Sequence, residues 1–120
     1  MYDHVTLKVK DLEASVRFYT STLGALGYQL CSRDDAGAGF GPAGAPAFWL
    51  SVAKAASGAG VHVAFRAADQ AAVGRFHADG LKAGGRDNGR PGPRPDYGAT
   101  YYAAFLFDPD GNNIEAVCMK

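Results

Sequence analysis

The sequence predicts an α+β fold of two β-α-β-β-β modules packed into a single domain, and three observations predict it. The first is an internal repeat. HVTLKVKDLEASVRFYTSTLGALG, from His4, recurs in register as HVAFRAADQAAVGRFHADGLKAGG, from His62, with 9 of 24 aligned residues identical and no gap. A repeat of this kind marks two copies of one supersecondary unit. The second is two-residue alternation at the head of each copy, and the third is the helical period that follows it. With 120 residues, each half is too small to bury a core alone, so the halves should pack on each other or on a second chain. The boundaries fall at about 1–55 for module one and about 60–120 for module two.

Val5, Leu7 and Val9 alternate with Thr6, Lys8 and Lys10, the pattern of a half-buried strand. Asp11 then caps a helix whose apolar positions are Leu12, Val16, Tyr19, Leu23 and Leu26, and Gly27 ends it. Tyr28–Ser32 reads as a strand, Asp34–Gly44 as a flexible glycine-rich turn and Ala47–Val52 as a strand. In the second half, strand Val61–Ala67 is followed by a helix capped by Asp69 that runs to about Ala83. A Gly/Pro/Arg loop covers Gly84–Gly98, and its stretch Arg90–Tyr97 is long enough to act as a lid. Strands Tyr101–Phe107 and Asn113–Cys118 flank the tight turn Asp108-Pro109-Asp110-Gly111. In each half the alternation locates three of the four strands.

Composition narrows the function. Twelve basic residues balance 12 acidic ones, which argues against nucleic acid and anionic membrane surfaces as partners. No apolar run approaches the length of a membrane span, and no secretory leader is evident, so a cytoplasmic protein is expected. Cys31 and Cys118 lie in apolar strand contexts and are expected as buried free thiols. The Gly37–Gly44 stretch precedes a strand, not a helix, so it is not a phosphate-binding loop. Asp108 and Asp110 lack the spacing of an EF-hand.

Strand parity places His4, Thr6 and Lys8 on the face away from the first helix, and His62, Ala64 and Arg66 on the equivalent face of the second module. Asn113, Glu115 and Val117 share a face of the last strand. The uncovered faces can curl into one concave site carrying His4, His62 and Glu115. Two neutral imidazoles and a carboxylate suffice to hold a divalent cation with positions open for substrate. Zn, Ni, Mn and Fe all suit such donors. The donor atoms of His4 and His62 should lie within about 6 Å of the Glu115 carboxylate; larger separations, with no second chain bringing the groups together, mean that the set is wrong. Trp49 and Tyr101 line the pocket by parity, and Lys8 and Arg66 stand where they could meet an anionic substrate. His77, on a helix, has a packing or solvent-facing role.

DHVTLKVKDLEASVRFYTSTLGALGY, HVAFRAADQAAVGRFHADGLKAGG and FLFDPDGNNIEAV together resemble the vicinal oxygen chelate superfamily of glyoxalases, bleomycin-resistance proteins and extradiol dioxygenases. The resemblance covers essentially the whole chain. It implies an open, barrel-like mixed sheet around a concave site, often completed in a homodimer, with metal ligands at His4, His62 and Glu115. Glu115 would also be the residue that shuttles a proton.

Two specific activities fit poorly. Glyoxalase I has a fourth ligand, a glutamate, where this chain has Trp49, and its arginine toward glutathione corresponds to Lys8, which lacks the bidentate fork. Extradiol dioxygenases have a tyrosine where Phe105 stands, and Asp96–Ala99 offers no acid/base histidine. The resemblance therefore implies a metal-dependent lyase, isomerase or transferase acting on a small oxygenated substrate. The alternative is a metal-free, drug-binding dimer of the bleomycin-resistance type.

Overall fold

The computed structural model describes residues 1–54 and 60–120, so the boundary expected near residue 55 lies outside the described residues. The chain runs β1 (Val5–Val9), α1 (Leu12–Ala25), β2 (Gln29–Arg33), β3 (Gly37–Gly41) and β4 (Phe48–Val52). It continues with β5 (His62–Arg66), α2 (Gln70–Lys82), β6 (Arg86–Pro93), β7 (Tyr102–Phe107) and β8 (Asn113–Cys118). These form two mixed four-stranded sheets, ordered β1-β4-β3-β2 and β5-β8-β7-β6, and they do not close into a barrel. In both sheets the first strand pairs in parallel with the last, and the remaining pairs are antiparallel. The expected α+β class and the repeated module are therefore present. Among the described residues, no helix is long and apolar enough to cross a membrane.

The repeat reaches atomic detail at the helix starts. The Asp11 carboxylate accepts from the Ala14 N–H at 3.1 Å, and repeat-equivalent Asp69 accepts from the Ala72 N–H at 2.8 Å. Each bond satisfies one of the amides that a helix N-terminus leaves without an intrahelical partner. Gly27, at φ +93°, takes the left-handed conformation that stops α1. Phe18 and Phe76, also equivalent, are both fully buried. Each contributes about 2–3 kcal/mol by leaving water. The helices pack on each other where the two copies meet. A Cβ on Gly80 would lie 2.9 Å from the methyl of its own repeat-equivalent, Thr22, and 2.3 Å from Leu106 Cδ1. Equivalent residues touch only near a pseudo-twofold axis, so the two modules face each other across α1 and α2.

Two sequence expectations need correction. Gly37–Gly41 is not a flexible turn but strand β3. Ala38 and Phe40 point into the core, while the glycines between them make room on the other face. A Cβ on Gly39 would fall 2.5 Å from the Trp49 ring, and one on Gly37 would fall 2.3 Å from the Leu50 carbonyl oxygen. Glycine here serves close packing rather than flexibility. Likewise the loop expected over Gly84–Gly98 contains β6, an edge strand whose pairing with β7 shifts register twice. Edge position and bulges are where a strand tolerates prolines such as Pro91 and Pro93.

His77 packs as expected, but with a partner: it is buried, and its Nε2 lies 2.9 Å from Asp87 Oδ1 on β6. That bond, and then the Gly89 N–H, holds the Asp87 carboxyl below its ordinary value of 3.8. A depressed carboxyl lends stability above its unfolded pKa and loses it as pH falls through the folded one. Asp87→Asn should therefore lower stability at neutrality and flatten its further loss below pH 3.8, as read by denaturation at a series of pH values. Cys118 is buried and free as expected; Cys31, also free, is only half-buried on its edge strand β2.

Candidate functional site

The second sheet builds the better-defined site. His62 opens edge strand β5, directly opposite Asn113 of β8, and its Nδ1 lies 3.0 Å from the Asn113 carbonyl oxygen. A carbonyl only accepts, so Nδ1 carries the proton and the ring is oriented with Nε2 toward Glu115, 3.0 Å away. Glu115 stands on the interior strand β8, between Ala64 and Phe105 of the adjoining strands, and its side chain is only 3 % exposed. Its second oxygen, Oε2, accepts from the Tyr101 hydroxyl. Burial, followed by that bond, pushes the Tyr101 phenol up to about 12, so it remains a donor at working pH. The His62 and Phe105 rings stack at 6.3 Å.

The other predicted residues lie elsewhere. His4 precedes β1, the edge strand of the first sheet, and its Nδ1 lies 2.7 Å from Asp3 Oδ1. With Thr6 and Trp49 it lines a concave cavity of about 610 Å³ on that sheet. Lys8 is exposed on β1, facing Ser51 in register. Arg66, at the far end of β5, lines a depression with Tyr28, Cys118 and Lys120. The predicted set thus divides by module: His4, Lys8 and Trp49 on one sheet, and His62, Arg66, Tyr101 and Glu115 on the other. Among the described residues, no three His, Cys, Asp or Glu side chains converge to hold a metal.

Donor chemistry and donor number therefore give different answers for a metal. The His62 arrangement suits a ligand, since a histidine Nδ1–H given to a carbonyl fixes the tautomer that presents Nε2 to an ion. Among the described residues a single chain nevertheless brings only two ligating side chains together here, where protein sites generally use three or more. The third predicted ligand sits on the edge of the opposite sheet.

Sequence reasoning left out several residues of the second concave face. Asn88, Gly89, Arg94, Tyr97, Phe105 and Asn113 line a cavity of about 360 Å³ there. Parity already placed Asn113 beside Glu115, and two such two-residue steps connect Tyr101 to Phe105. No sequence signal pointed Arg94 inward.

The family model of the Glyoxalase/Bleomycin resistance protein/Dioxygenase superfamily matches residues 2–116. This chain belongs to that superfamily. Among solved structures, a glyoxalase/bleomycin resistance protein from Albidiferax ferrireducens T118 is 31% identical, with a TM-score of 0.82 over 98% of this chain and 97% of that one. A glyoxalase/bleomycin resistance protein/dioxygenase family enzyme from Burkholderia phytofirmans PsJN shares the fold at 20% identity, with a TM-score of 0.76 and 98% of each chain covered. A variant of glyoxalase I from Zea mays is 27% identical with a TM-score of 0.72; the match covers 95% of this chain but 44% of the maize one. No curated protein sequence matches the chain. Membership in the glyoxalase/bleomycin resistance protein/dioxygenase superfamily accounts for the repeat, the two mixed sheets and the concave faces. It does not choose among the superfamily's activities.

Proposed function

We propose that this chain is a metal-dependent lyase, isomerase or transferase acting on a small oxygenated molecule, and that it works as a homodimer. In that dimer His62 and Glu115 of one copy meet His4 of the second. The observation that carries the reading is the His62–Glu115 pair at 3.0 Å, with Nδ1 anchored on the Asn113 carbonyl and the carboxylate withdrawn from solvent. His4 and His62 are repeat-equivalent and both lie at edge strands, β1 and β5, which have no partner on their outer sides among the described residues. A second copy can cover such edges.

When bound, a divalent ion of the Zn, Ni, Mn or Fe type supplies Lewis acidity toward a carbonyl oxygen. The chain's own residues do the rest. Phe105 and Tyr97 wall the cavity beside the pair. Tyr101 holds Glu115 Oε2 and leaves Oε1 as the atom that would take a proton from the substrate and return it. Glyoxalase I and extradiol ring cleavage remain disfavoured. Trp49 lies over Gly39 in the opposite sheet, and Phe105 offers no hydroxyl.

A second reading rests on the cleft between the modules, about 370 Å³ and lined by Tyr28, Phe40, Phe48, Val63 and Phe65. An aromatic cleft suits a metal-free binder that sequesters an apolar or drug-like molecule. Metal content by plasma mass spectrometry separates the two. The enzyme reading expects about one divalent ion per chain in the wild type and none in His62→Ala. No ion, and no uptake when Ni, Zn, Mn or Fe is added, would leave the binder reading in its place.

A further inference from the structure

We infer that the cavity on the second concave face is an oxyanion subsite organised by Arg94, so that the substrate of the proposed site carries a carboxylate or a phosphate-like group. The place of this subsite beside catalysis rests on the function proposed above; the binding of the anion does not.

Arg94 is half-buried, with its guanidinium 5.4 Å from the centre of the Phe105 ring. Its Nη1 donates to the carbonyls of Gly92 at 3.0 Å and Pro93 at 3.3 Å, and its Nη2 donates to that of Arg90 at 2.7 Å. A guanidinium has five N–H donors, so three bonds leave two of them free. None of the ion pairs among the described residues involves Arg94. Among the described residues its charge is met by carbonyl dipoles and the Phe105 ring, and no carboxylate lines the cavity.

The hairpin is shaped to seat this group. A Cβ on Gly89 would fall 2.9 Å from Phe105 Cδ1 and 3.3 Å from Arg94 Nη2, and one on Gly92 would fall 3.3 Å from Nη1. Bare backbone at both positions leaves room for the guanidinium between the strand and the ring. Asn88 Nδ2 bonds Asn113 Oδ1 at 3.0 Å, which leaves the Asn113 amide nitrogen as a further donor at the cavity wall. The subsite also abuts the His62–Glu115 pair. Phe105, under Arg94, stacks with His62, and Tyr97, in the cavity wall, packs 5.3 Å from the Tyr101 ring that bonds Glu115. A planar fork with two open donors beside an amide is the recognition chemistry of an oxyanion.

The test uses the full-length protein stripped of metal with a chelator and titrated with acetate or inorganic phosphate at constant ionic strength. Nitrogen–proton correlation spectra report the Arg94 Nε–H and the Asn88 and Asn113 side-chain amides. Saturable shifts at these groups are expected, with affinity about tenfold weaker in Arg94→Gln and partly restored in Arg94→Lys. Asn88→Asp, which keeps the shape and adds a negative charge, should weaken binding at least as much while the spectrum stays that of a folded protein. Tighter binding of acetate identifies a carboxylate substrate, and tighter binding of phosphate a phosphate-like one. Absence of saturation with both anions, or unchanged affinity in both Arg94→Gln and Asn88→Asp, overturns the inference. Because no metal is present, its failure is read separately from that of the proposed metal site.

Discussion

Replacing Asp108 by alanine is expected to cost roughly 3–4 kcal/mol of unfolding free energy, a large share of what a small domain has. The carboxylate is 2 % exposed and accepts four hydrogen bonds. Oδ1 takes the backbone N–H groups of Asp110 at 2.9 Å and Asn112 at 2.8 Å; Oδ2 takes the Asn112 amide at 3.0 Å and the Tyr19 hydroxyl at 2.5 Å. Alanine would leave these donors without acceptors, and several of them are buried. Tyr19 belongs to α1, so the bond ties the first module to the β7–β8 turn of the second. Burial, with the negative charge of Asp108 beside it, raises the Tyr19 phenol well above its usual value of 10.0, so it stays a donor. The next carboxylate adds to the clasp, as Asp110 accepts from the Lys10 N–H at 3.1 Å and the Ser15 hydroxyl at 3.4 Å. Urea denaturation measures the effect. Tyr19→Phe, which removes one donor, should cost only about 1–2 kcal/mol. A loss under about 1 kcal/mol in Asp108→Ala would mean that water or a shifted turn replaces the network.

Glu115→Gln carries the second large effect, on function rather than on folding. Glutamine keeps the size of the side chain and can still bond Tyr101, so thermal stability should change little. What disappears is the charge. Divalent-ion affinity should fall by roughly 100-fold or more, and catalysis with it, as followed by metal titration and equilibrium dialysis. The opposite pattern, a large drop in melting temperature with unchanged metal affinity, would make Glu115 a structural carboxylate held by His62 and Tyr101.

The residues make plain why some of this was legible in the sequence. Local rules fixed the helix starts, because an aspartate before an apolar stripe caps by itself, and Asp11 and Asp69 both do so. Parity put His62 and Glu115 on one face, and the parallel pairing of β5 with β8 brings them together. Strand β3 was hidden because glycine carries no propensity of its own, and Gly39 is needed only once Trp49 lies across it. Strand β6 was hidden by prolines that an edge strand tolerates. The clasp on Asp108 joins residues 89 positions apart, which no local pattern records. The partners of His4 were not legible for a different reason: parity gives the face of a strand but not which sheets, of one chain or two, share a cup.

Subunit mixing tests that last point most directly. His4→Ala and Glu115→Ala chains, each with its own affinity tag, are co-expressed, and the mixed dimer is isolated for metal analysis. Each homodimer alone should hold no ion. If the site joins His4 of one copy to His62 and Glu115 of the other, the mixed dimer retains one intact site and holds about one ion per two chains. A mixed dimer as empty as its parents, beside a wild type that binds metal, would contradict the shared site.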